Sequence, residues 1–320
     1  MTERDDLARR FELHRAHLRA IAYRMLGSLS EAEDAVQESW LRLARADVSG
    51  VANLAAWLRT VVSRVCLDML RARAARREEL AGQQLPGQQL PGGTPGDSRA
   101  GDPEAEVLLA DSVGRALLVV LDRLAPPERL AFVLHDMFAV PFVEIAPIVG
   151  RSPATTKKLA SRARYRVRGA PAIRTPELAA RRQVVEAFLA ASRAGDVGAV
   201  LAVLAPDVVR RADAAELPAG RAAEARGART VAQEIAVFGR NARFAALALV
   251  DGDVGILVAP RGYLLLAITF AIEDSKVAAY ELIAEPTRLR HLTLATLDPA
   301  GSAEQGRSAG VAQEQVAVGG

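Results

Sequence analysis

Cysteine is almost absent from this sequence, since Cys66 is the single cysteine among 320 residues. One thiol cannot form a disulfide within the chain, and it excludes metal sites that need several cysteine ligands. Cys66 stands in an apolar run beside Val65 and Leu67. A thiol in such a setting is typically buried and unreactive, so we do not expect a catalytic cysteine.

Long apolar runs are also missing. No stretch approaches the roughly 20 residues that a membrane-spanning helix needs. Residues 1–6 carry charged side chains where a signal peptide would have its apolar segment. The sequence therefore predicts a soluble cytoplasmic protein without a membrane partner.

The net charge is small as well, at +3 for the whole chain. Overall charge therefore does not favour a nucleic-acid partner, and a local basic surface would have to provide such binding. Hydrophobic residues make up half of the chain, and its length favours two or three domains with packed cores.

Two breaks in composition divide the chain. Residues 81–103 are rich in Gly, Pro and Gln and repeat the sequence Gln-Gln-Leu-Pro-Gly, which predicts a flexible linker. A second break follows Gly169. We therefore predict a helical domain at 5–80, a second helical domain at 104–169, an α+β domain at 176–295 and a disordered tail at 296–320.

Periodicity indicates the elements within these domains. In the first, a helix ends at Gly27, Ser30 caps the next with Glu33 three residues on, and a long helix runs from about Leu54 to Arg77. In the last, helical segments at 176–195 and 196–205 precede apolar strands separated by Asp-Gly and Arg-Gly turns, which predict a curved antiparallel sheet. The expected strands are 244–250, 254–259, 263–272 and 276–283.

Residues 142–164 have the pattern of a helix-turn-helix. A short apolar helix, a turn at Gly150 and a second helix with one apolar and one basic side follow each other. Ser152 is the expected N-cap of the second helix, and Pro153 suits its first turn. Pro147 interrupts the last turn of the first helix and removes one hydrogen bond.

The second helix has two expected faces. Leu159, Ala163 and Val167 recur every four residues and should face the core. Thr155, Lys158 and Arg162 are placed to reach base edges, while the remaining basic residues suit phosphates. Those phosphate candidates are Lys157, Arg164, Arg166 and Arg168. An amphipathic helical hairpin with a solvated basic face is the alternative.

Two further segments carry a family resemblance. Residues 22–43 resemble region 2 of bacterial extracytoplasmic-function (ECF) sigma factors, and residues 121–134 lead into a segment similar to region 4, which carries the helix-turn-helix. The resemblance implies a subunit that binds core RNA polymerase and directs transcription initiation at specific promoters. It implies no enzymatic activity and no cofactor or metal.

The resemblance also implies roles for individual positions. The surface that docks on the β′ clamp helices would be Asp34, Gln37, Glu38, Trp40 and Leu41, and the β flap would be a further polymerase partner. The −10 promoter element would be melted and read by Asn53, Trp57, Arg59, Arg64 and Asp68, with phosphate contacts from Arg71, Arg73, Arg76 and Arg77. The −35 element would be bound by Thr155, Thr156, Lys157, Lys158, Arg162 and Arg166. A place in the core is the alternative for Trp57.

The last domain resembles the SnoaL-like extension, with an NTF2-like cone fold, that one ECF subgroup carries. In that subgroup an Asp-Gly-Gly-Gly signature stands where this chain has Asp213 to Glu216, and Asn-Pro-Asp-Lys-Leu stands where it has residues 285–289. The linker signature Trp-Leu-Pro-Glu-Pro is replaced by Leu-Pro-Gly. The resemblance implies regulation in cis, with Asp213, Pro286, Arg288 and Leu289 as the regulatory positions.

An enzyme or a ligand sensor fused to a DNA-binding module is the alternative function. SnoaL-like cyclases use a carboxylate as general acid and base, for which Asp207, Asp213 and Glu216 are the candidates. No histidine lies between Gly169 and Arg290, and His291 follows the last expected strand. We therefore expect no catalysis, while a small-molecule ligand in the cone stays open because apolar pockets are common in this fold.

Overall fold

The computed structural model describes residues 3–47, 50–82, 112–169, 176–213 and 222–297. The chain divides into two compact units. The helical unit comprises Met1–Leu109 and Leu124–Ala163, and the mixed unit comprises Ala110–Arg123 and Arg164–Gly320. Most of the predicted linker, residues 83–103, and the tail from 298 onward lie outside the described residues.

The elements are numbered in chain order. The helices are α1 (Glu3–Leu26), α2 (Leu29–Leu43), α3 (Leu54–Gly82), α4 (Ser112–Asp122), α5 (Pro126–Phe132), α6 (Phe142–Val149), α7 (Pro153–Arg168), α8 (Pro176–Ala194), α9 (Val197–Val203), α10 (Ala228–Phe238) and α11 (Pro286–His291). The strands are β1 (Leu204–Ala212), β2 (Glu224–Arg226), β3 (Ala245–Val250), β4 (Asp253–Val258), β5 (Leu266–Glu273), β6 (Lys276–Ile283) and β7 (Leu294–Ala295).

In the helical unit, α1, α2 and α3 pack around a core that includes Ile21, Val36 and Leu58. The N-cap of α2 is Ser28, whose Oγ accepts the N–H of Glu31 at 3.5 Å, so the prediction of Ser30 was wrong. The chain turns at Gly27, where φ is +80°, and the helix begins directly afterwards. Ser28 and Glu31 have the same spacing as Ser30 and Glu33, so the capping pattern occurs twice and the turn decides between the two.

The mixed unit contains a seven-stranded sheet in the order β2-β1-β6-β5-β4-β3-β7, in which β1 and β6 are parallel and the other pairs antiparallel. The four predicted strands correspond to β3, β4, β5 and β6, and the expected α+β fold is confirmed. The sequence pattern did not predict β1, β2, β7, α10 or α11. β1 follows α9 without a loop, so its first residues were assigned to the preceding helix.

The apolar core on this sheet includes side chains from α8, α9 and α10. The ring of Phe188 on α8 meets Phe270 edge-on, with 5.2 Å between the ring centroids, and lies 5.5 Å from Tyr280. Val231 of α10 and Val277 of β6 are fully buried in the same cluster. Aromatic residues are rare in this chain, and three of them stabilise one core.

A buried ion pair joins β1 to α10. The Arg210 side chain is fully buried, and its Nη2 donates to both carboxylate oxygens of Glu234 at 2.9 Å. Its Nη1 donates to the carbonyl of Ala222 at 2.7 Å. Because the guanidinium meets both a carboxylate and a backbone carbonyl, the cost of removing it from water is offset.

We expect the thiol of Cys66 to be unreactive in the folded protein. Burial raises the pKa of this thiol to about 12. At a pH of about 8.5, where an ordinary cysteine is half ionised, Cys66 therefore carries very little of the reactive thiolate. A disulfide reagent such as dithionitrobenzoate should modify Cys66 only after denaturant unfolds the helical unit, which absorbance of the released thiolate records. Equal rates with and without denaturant would contradict this expectation.

Candidate nucleic-acid interface

Helices α6 and α7 form the expected helix-turn-helix. Gly150 ends α6 with a φ of +67°, and a Cβ added there would meet no heavy atom within 4 Å, so the backbone angle alone requires glycine. The Oγ of Ser152 accepts the N–H of Thr155 at 3.2 Å, and Pro153 opens α7. The predicted cap and first turn of this helix are therefore confirmed.

The buried side of α7 contains Ala163 and Val167, as predicted, while the predicted Leu159 is only half-buried. Thr156 and Ala160 are buried beside them. Thr156 is 0% exposed, and its hydroxyl donates to the carbonyl of Ser152 at 3.0 Å. That bond satisfies the hydroxyl inside the core. The prediction that Thr156 contacts the −35 element is therefore wrong.

The outer side of α7 presents the other predicted DNA-binding residues. Thr155, Lys157, Lys158, Arg162 and Arg166 are all exposed. The helix contains no acidic residue, so nothing on its own surface offsets this positive charge. Tyr165, which sequence reasoning missed, is 65% exposed and lies three residues after Arg162 on the same side. Tyr165 follows Lys158 by seven residues, or about two helical turns, so helical spacing alone could have placed it on this side.

Pro147 is accommodated because it lies on the exposed side of α6. The hydrogen bond that it removes would have been accepted by the carbonyl of Val143, four residues earlier. The Val143 side chain is 67% exposed, so this carbonyl is on the side of the helix that faces water. Solvent can therefore replace the missing partner.

The predicted polymerase-docking residues lie along one side of α2. Asp34, Gln37 and Leu41 are exposed and Glu38 is half-buried, and their spacing places them in one stripe. Trp40 lies at the edge of that stripe, where its ring contacts Phe11 at 5.2 Å between centroids. The opposite side of α2 is buried in the helical core.

The predicted −10 residues lie on or next to α3. Asn53 precedes the helix, and its Oδ1 accepts the N–H of Ala56 at 3.0 Å. Arg64, Asp68 and Arg71 are exposed and share one side of α3 with the half-buried Trp57. Trp57 is thus neither fully exposed nor part of the core.

One basic residue of this group has a structural role instead. The side chain of Arg73 is 15% exposed, pairs with Glu31 and donates to the carbonyl of Leu26 at 3.3 Å. These contacts join the end of α1 to α3. The prediction that Arg73 contacts a DNA phosphate is therefore wrong. Arg76 is exposed, and the side chain of Arg77 lies outside the described residues.

Within the helical unit, the helix-turn-helix packs against the bundle formed by α1, α2 and α3. Arg59 on α3, a predicted −10 residue, forms an ion pair with Glu144 on α6. The Phe138 ring meets His17 edge-on at 5.3 Å between centroids, and the Arg24 guanidinium lies 5.4 Å from the Phe138 ring centre. Burial, and then the charge of Arg59, lower the pKa of His17.

A buried arginine strengthens the same contact. Arg129 on α5 is 2% exposed, and its Nη2 donates to the carbonyl of Arg24 at 3.2 Å. Arg24 lies in the last turn of α1, where helical carbonyls lack partners within the helix. Because the guanidinium satisfies such a carbonyl, it fixes α5 against the end of α1.

The predicted regulatory residues come together in the mixed unit. The Asp213 carboxylate accepts the N–H groups of Ala284 and Glu285 at 2.9 Å each and pairs with Arg288. Arg288 also pairs with Glu281 at 2.8 Å. Pro286 opens α11, and Leu289 is buried in it. Asp213 thus anchors the segment that leads into α11.

Charges in this cluster are mutually stabilised. Burial alone would raise the pKa of Asp213, but the N–H groups of Glu285 and Ala284 and the Arg288 guanidinium together hold it below its usual range. Hydrogen bonding to Glu281, followed by the bond to Asp213, raises the pKa of Arg288. Both groups are therefore charged near neutral pH, and Asp213 is not poised as a general acid.

The other catalytic candidates do not form a site among the described residues. Asp207 is exposed on β1, and Glu216 lies outside the described residues. His291 is exposed, with Nδ1 at 2.7 Å from the carbonyl of Thr287. Residues 3–47, 50–82, 112–169, 176–213 and 222–297 contain no group of three or more His, Cys, Asp or Glu side chains that could hold a metal ion.

In the part of the chain that the structure describes, no helix has both the length and the apolar character needed to cross a membrane.

Comparison with known proteins gives consistent matches. Residues 10–76 match the Sigma-70 region 2 family, and residues 114–167 match the Sigma-70 region 4 family. The ECF RNA polymerase sigma factor SigJ of Mycobacterium tuberculosis is 40% identical over 295 residues, which span 87% of this chain and 91% of SigJ. A probable ECF RNA polymerase sigma factor of the same species, SigI, is 37% identical over 214 residues, or 67% of this chain and 72% of SigI.

Among solved structures, a crystal structure of SigJ from Mycobacterium tuberculosis covers 88% of this chain and 98% of its own chain at 37% identity. The TM-score of that comparison is 0.41.

Two adjacent threonines test the assignment of faces on α7. Thr156→Val removes a buried hydrogen bond, so it should lower the free energy of unfolding by about 1 kcal/mol without changing affinity for duplex DNA. Thr155→Ala should leave stability within about 0.5 kcal/mol and weaken DNA binding. Urea unfolding and a DNA mobility-shift assay measure the two effects. Loss of DNA affinity in a stably folded Thr156→Val variant would contradict the assignment.

Proposed function

The chain belongs to the ECF RNA polymerase sigma factors, which direct promoter-specific transcription initiation, and we propose how its residues divide that work. Helix α7 reads the −35 element, α3 and the segment before it read the −10 element, and the exposed stripe of α2 docks on the polymerase clamp. Sigma factors act as transcription factors rather than enzymes, and this role would place the protein in the cytoplasm with the polymerase.

The observation that carries the proposal is the acid-free basic face of α7. Thr155 and Lys158 lie in its N-terminal half, the part of a recognition helix that approaches base edges, and Arg162 follows one turn later on the same side. Arginine and lysine donate to guanine in the major groove, and further basic residues bind phosphates and fix the position of the helix. Lys157 and Arg166 suit the phosphate contacts.

Contact with the −10 element is supported by the exposed side of α3. Trp57 offers a partly accessible ring on which an unpaired base can stack, and Arg64 and Arg71 supply positive charge nearby. The Asp68 carboxylate can accept hydrogen bonds from base edges, and the Asn53 amide can donate as well as accept them. This mixture of one aromatic and several polar groups suits a base extruded from a melted duplex.

Polymerase docking is supported by a different kind of surface on α2. Asp34 and Glu38 are acidic, whereas Leu41 is an apolar side chain that remains 39% exposed. A surface that combines apolar and acidic groups suits a protein partner and disfavours nucleic acid. We assign it to the β′ clamp helices, and the helices of region 4 to the β flap.

The contact between Arg59 and Glu144 describes a chain that is not engaged with a promoter. A −10 and a −35 element are separated by roughly 25 base pairs, or about 85 Å of duplex at about 3.4 Å per pair. Helices α3 and α6 therefore cannot remain in contact while both elements are bound. The ion pair has to break before Arg59 can reach DNA.

For the C-terminal domain we propose regulation in cis and no catalysis. Asp213, which stands at the first position of the Asp-Gly-Gly-Gly signature, is engaged by two backbone N–H groups and Arg288, so its carboxylate is a structural anchor. Asp207 is exposed to solvent on β1 and lies outside the Asp213–Arg288 cluster. In this proposal the domain regulates through the contacts that it makes, and it catalyses no reaction.

Run-off transcription tests the central assignment. The full-length protein with core RNA polymerase and a promoter library should produce discrete transcripts. Arg162→Ala should reduce transcription from a −35-dependent promoter about tenfold, because a base contact is lost, while core binding is unchanged. Arg226→Ala, which removes an exposed arginine of β2, is the matched control. Absence of any transcript with the wild-type protein would refute the sigma function.

Glu144→Gln tests the closed contact. Removing the charge of Glu144 weakens its hold on Arg59, and the Glu144 side chain is 45% exposed, so stability should change little. Affinity of the free protein for a single-stranded −10 oligonucleotide should rise, by up to about fivefold. Fluorescence anisotropy measures this affinity. An unchanged or lower affinity would show that Arg59 is not limited by this ion pair.

A further inference from the structure

Helix α4 lies within the region 4 match but is built into the mixed unit. Residues 115–121 are all buried, which is the pattern of a helix covered on every side. Within the mixed unit α4 packs on β3 and β7, and the guanidinium of Arg115 donates to the carbonyl of Arg243. The predicted domain 104–169 is therefore divided, because its first helix completes the core of the next domain.

The end of α4 is joined to the end of α11 by Arg123. Its Nη2 donates to the carbonyl of Leu289 at 2.9 Å, and its Nη1 donates to the carbonyl of Arg290 at 3.2 Å. Carbonyls in the last turn of a helix have no partner within the helix and carry its negative dipole end. A guanidinium donates hydrogen bonds to such carbonyls and places a positive charge at the negative end of the dipole. Arg123 therefore acts as a C-terminal cap for α11 that is supplied from another element.

A second cap joins the last turn of α7 to the residue after β7. The backbone N–H and the hydroxyl of Thr296 both donate to the carbonyl of Val167, at 2.8 and 3.1 Å. Thr296 is buried, so these bonds are shielded from water. Gly169 continues the chain with a φ of +71°, and a Cβ there would lie 2.9 Å from the Cβ of Ala295. The recognition helix therefore ends in close contact with this segment.

Both caps involve one continuous segment, residues 285–296, which we call the C-terminal strap. It begins where Asp213 holds the N–H groups of Ala284 and Glu285. It continues through α11 to Thr293, whose N–H and carbonyl bond to Asp251 at 2.7 and 2.8 Å. β7 then pairs with β3. The strap is thus fixed to the sheet at several points before it reaches α7.

We propose that the C-terminal strap is the element through which the extension positions region 4, with Arg123 and Thr296 as positioning residues for −35 recognition. The inference rests on the proposed function, because it assumes that α7 reads the −35 element. Neither residue touches DNA in this scheme. They act by holding the two ends of region 4, α4 and the last turn of α7, on a rigid sheet.

Point substitutions test this more cleanly than truncation. Deleting the extension would uncover the apolar surface of α4, so loss of activity would not separate misfolding from mispositioning. Arg123→Met keeps the aliphatic stem and removes the caps, and Thr296→Val keeps the shape and removes the hydroxyl. Arg290→Met is the matched control, since the Arg290 side chain donates to Thr287 within α11.

The measured quantity is −35 discrimination, defined as transcription from a promoter with its native −35 element divided by transcription from one with that element scrambled. The −10 element is the same in both. In the Arg123→Met/Thr296→Val double variant this ratio should fall about three- to tenfold, as expected for a few lost hydrogen bonds. Core binding and the control variant should match wild type. Arg123→Lys, which retains a charged donor, should restore part of the ratio.

An unchanged ratio in the double variant would overturn the proposal. An equal loss from both promoters leaves the ratio unchanged and would indicate a merely structural role for the two residues. If the wild-type protein gives no transcript, the proposed function fails. Amide hydrogen exchange then tests separately whether the C-terminal strap holds the end of α7. The amides of residues 164–168 should then exchange faster in the double variant than in Arg290→Met. Equal protection in the two variants would overturn the strap.

Discussion

Hydrogen bonding at the ends of the helices determines how the elements of this structure pack. Each helix leaves backbone N–H groups at its start and carbonyls at its end without partners, and burying them unpaired would be costly. Side chains from other elements meet this need repeatedly. Arg129 satisfies a carbonyl at the end of α1, Arg123 caps α11, and Thr296 caps α7. The groups that complete one helix therefore decide which element lies beside it.

Charge is organised locally rather than globally. The whole chain carries only +3, yet α7 has no acidic residue and presents an exposed basic side. Acidic residues stand where they pair with arginine: Glu31 with Arg73, and Glu144 with Arg59. A sigma factor that binds DNA with polymerase needs no large overall charge, because its partner contributes to the complex. The pair of Arg59 and Glu144 also joins the helix-turn-helix to the helical bundle of the free chain.

Several features could be predicted because they depend on neighbours in sequence. Ser152, Pro153 and Gly150 define the turn of the helix-turn-helix by local backbone chemistry, and the Asp-Gly turn marks the β3–β4 hairpin. The stripe on α2 follows from helical periodicity alone. Other features escaped because a polar residue is buried. Arg210 lies inward on β1 beside Glu234, which hides the alternation of that strand, and Thr156 is buried because the Ser152 carbonyl accepts its hydroxyl.

The family, the order of its helical regions and the candidate DNA-binding face were determined by the sequence itself, because motif spacing and helical period are local properties. The tertiary structure decided which of those residues are available. It placed Thr156 and Arg73 in structural roles, paired Arg59 with Glu144, and built α4 into the sheet domain. Each of these outcomes depends on a contact between residues far apart in the chain, and the periodicity of a single segment carries no information about its distant partner.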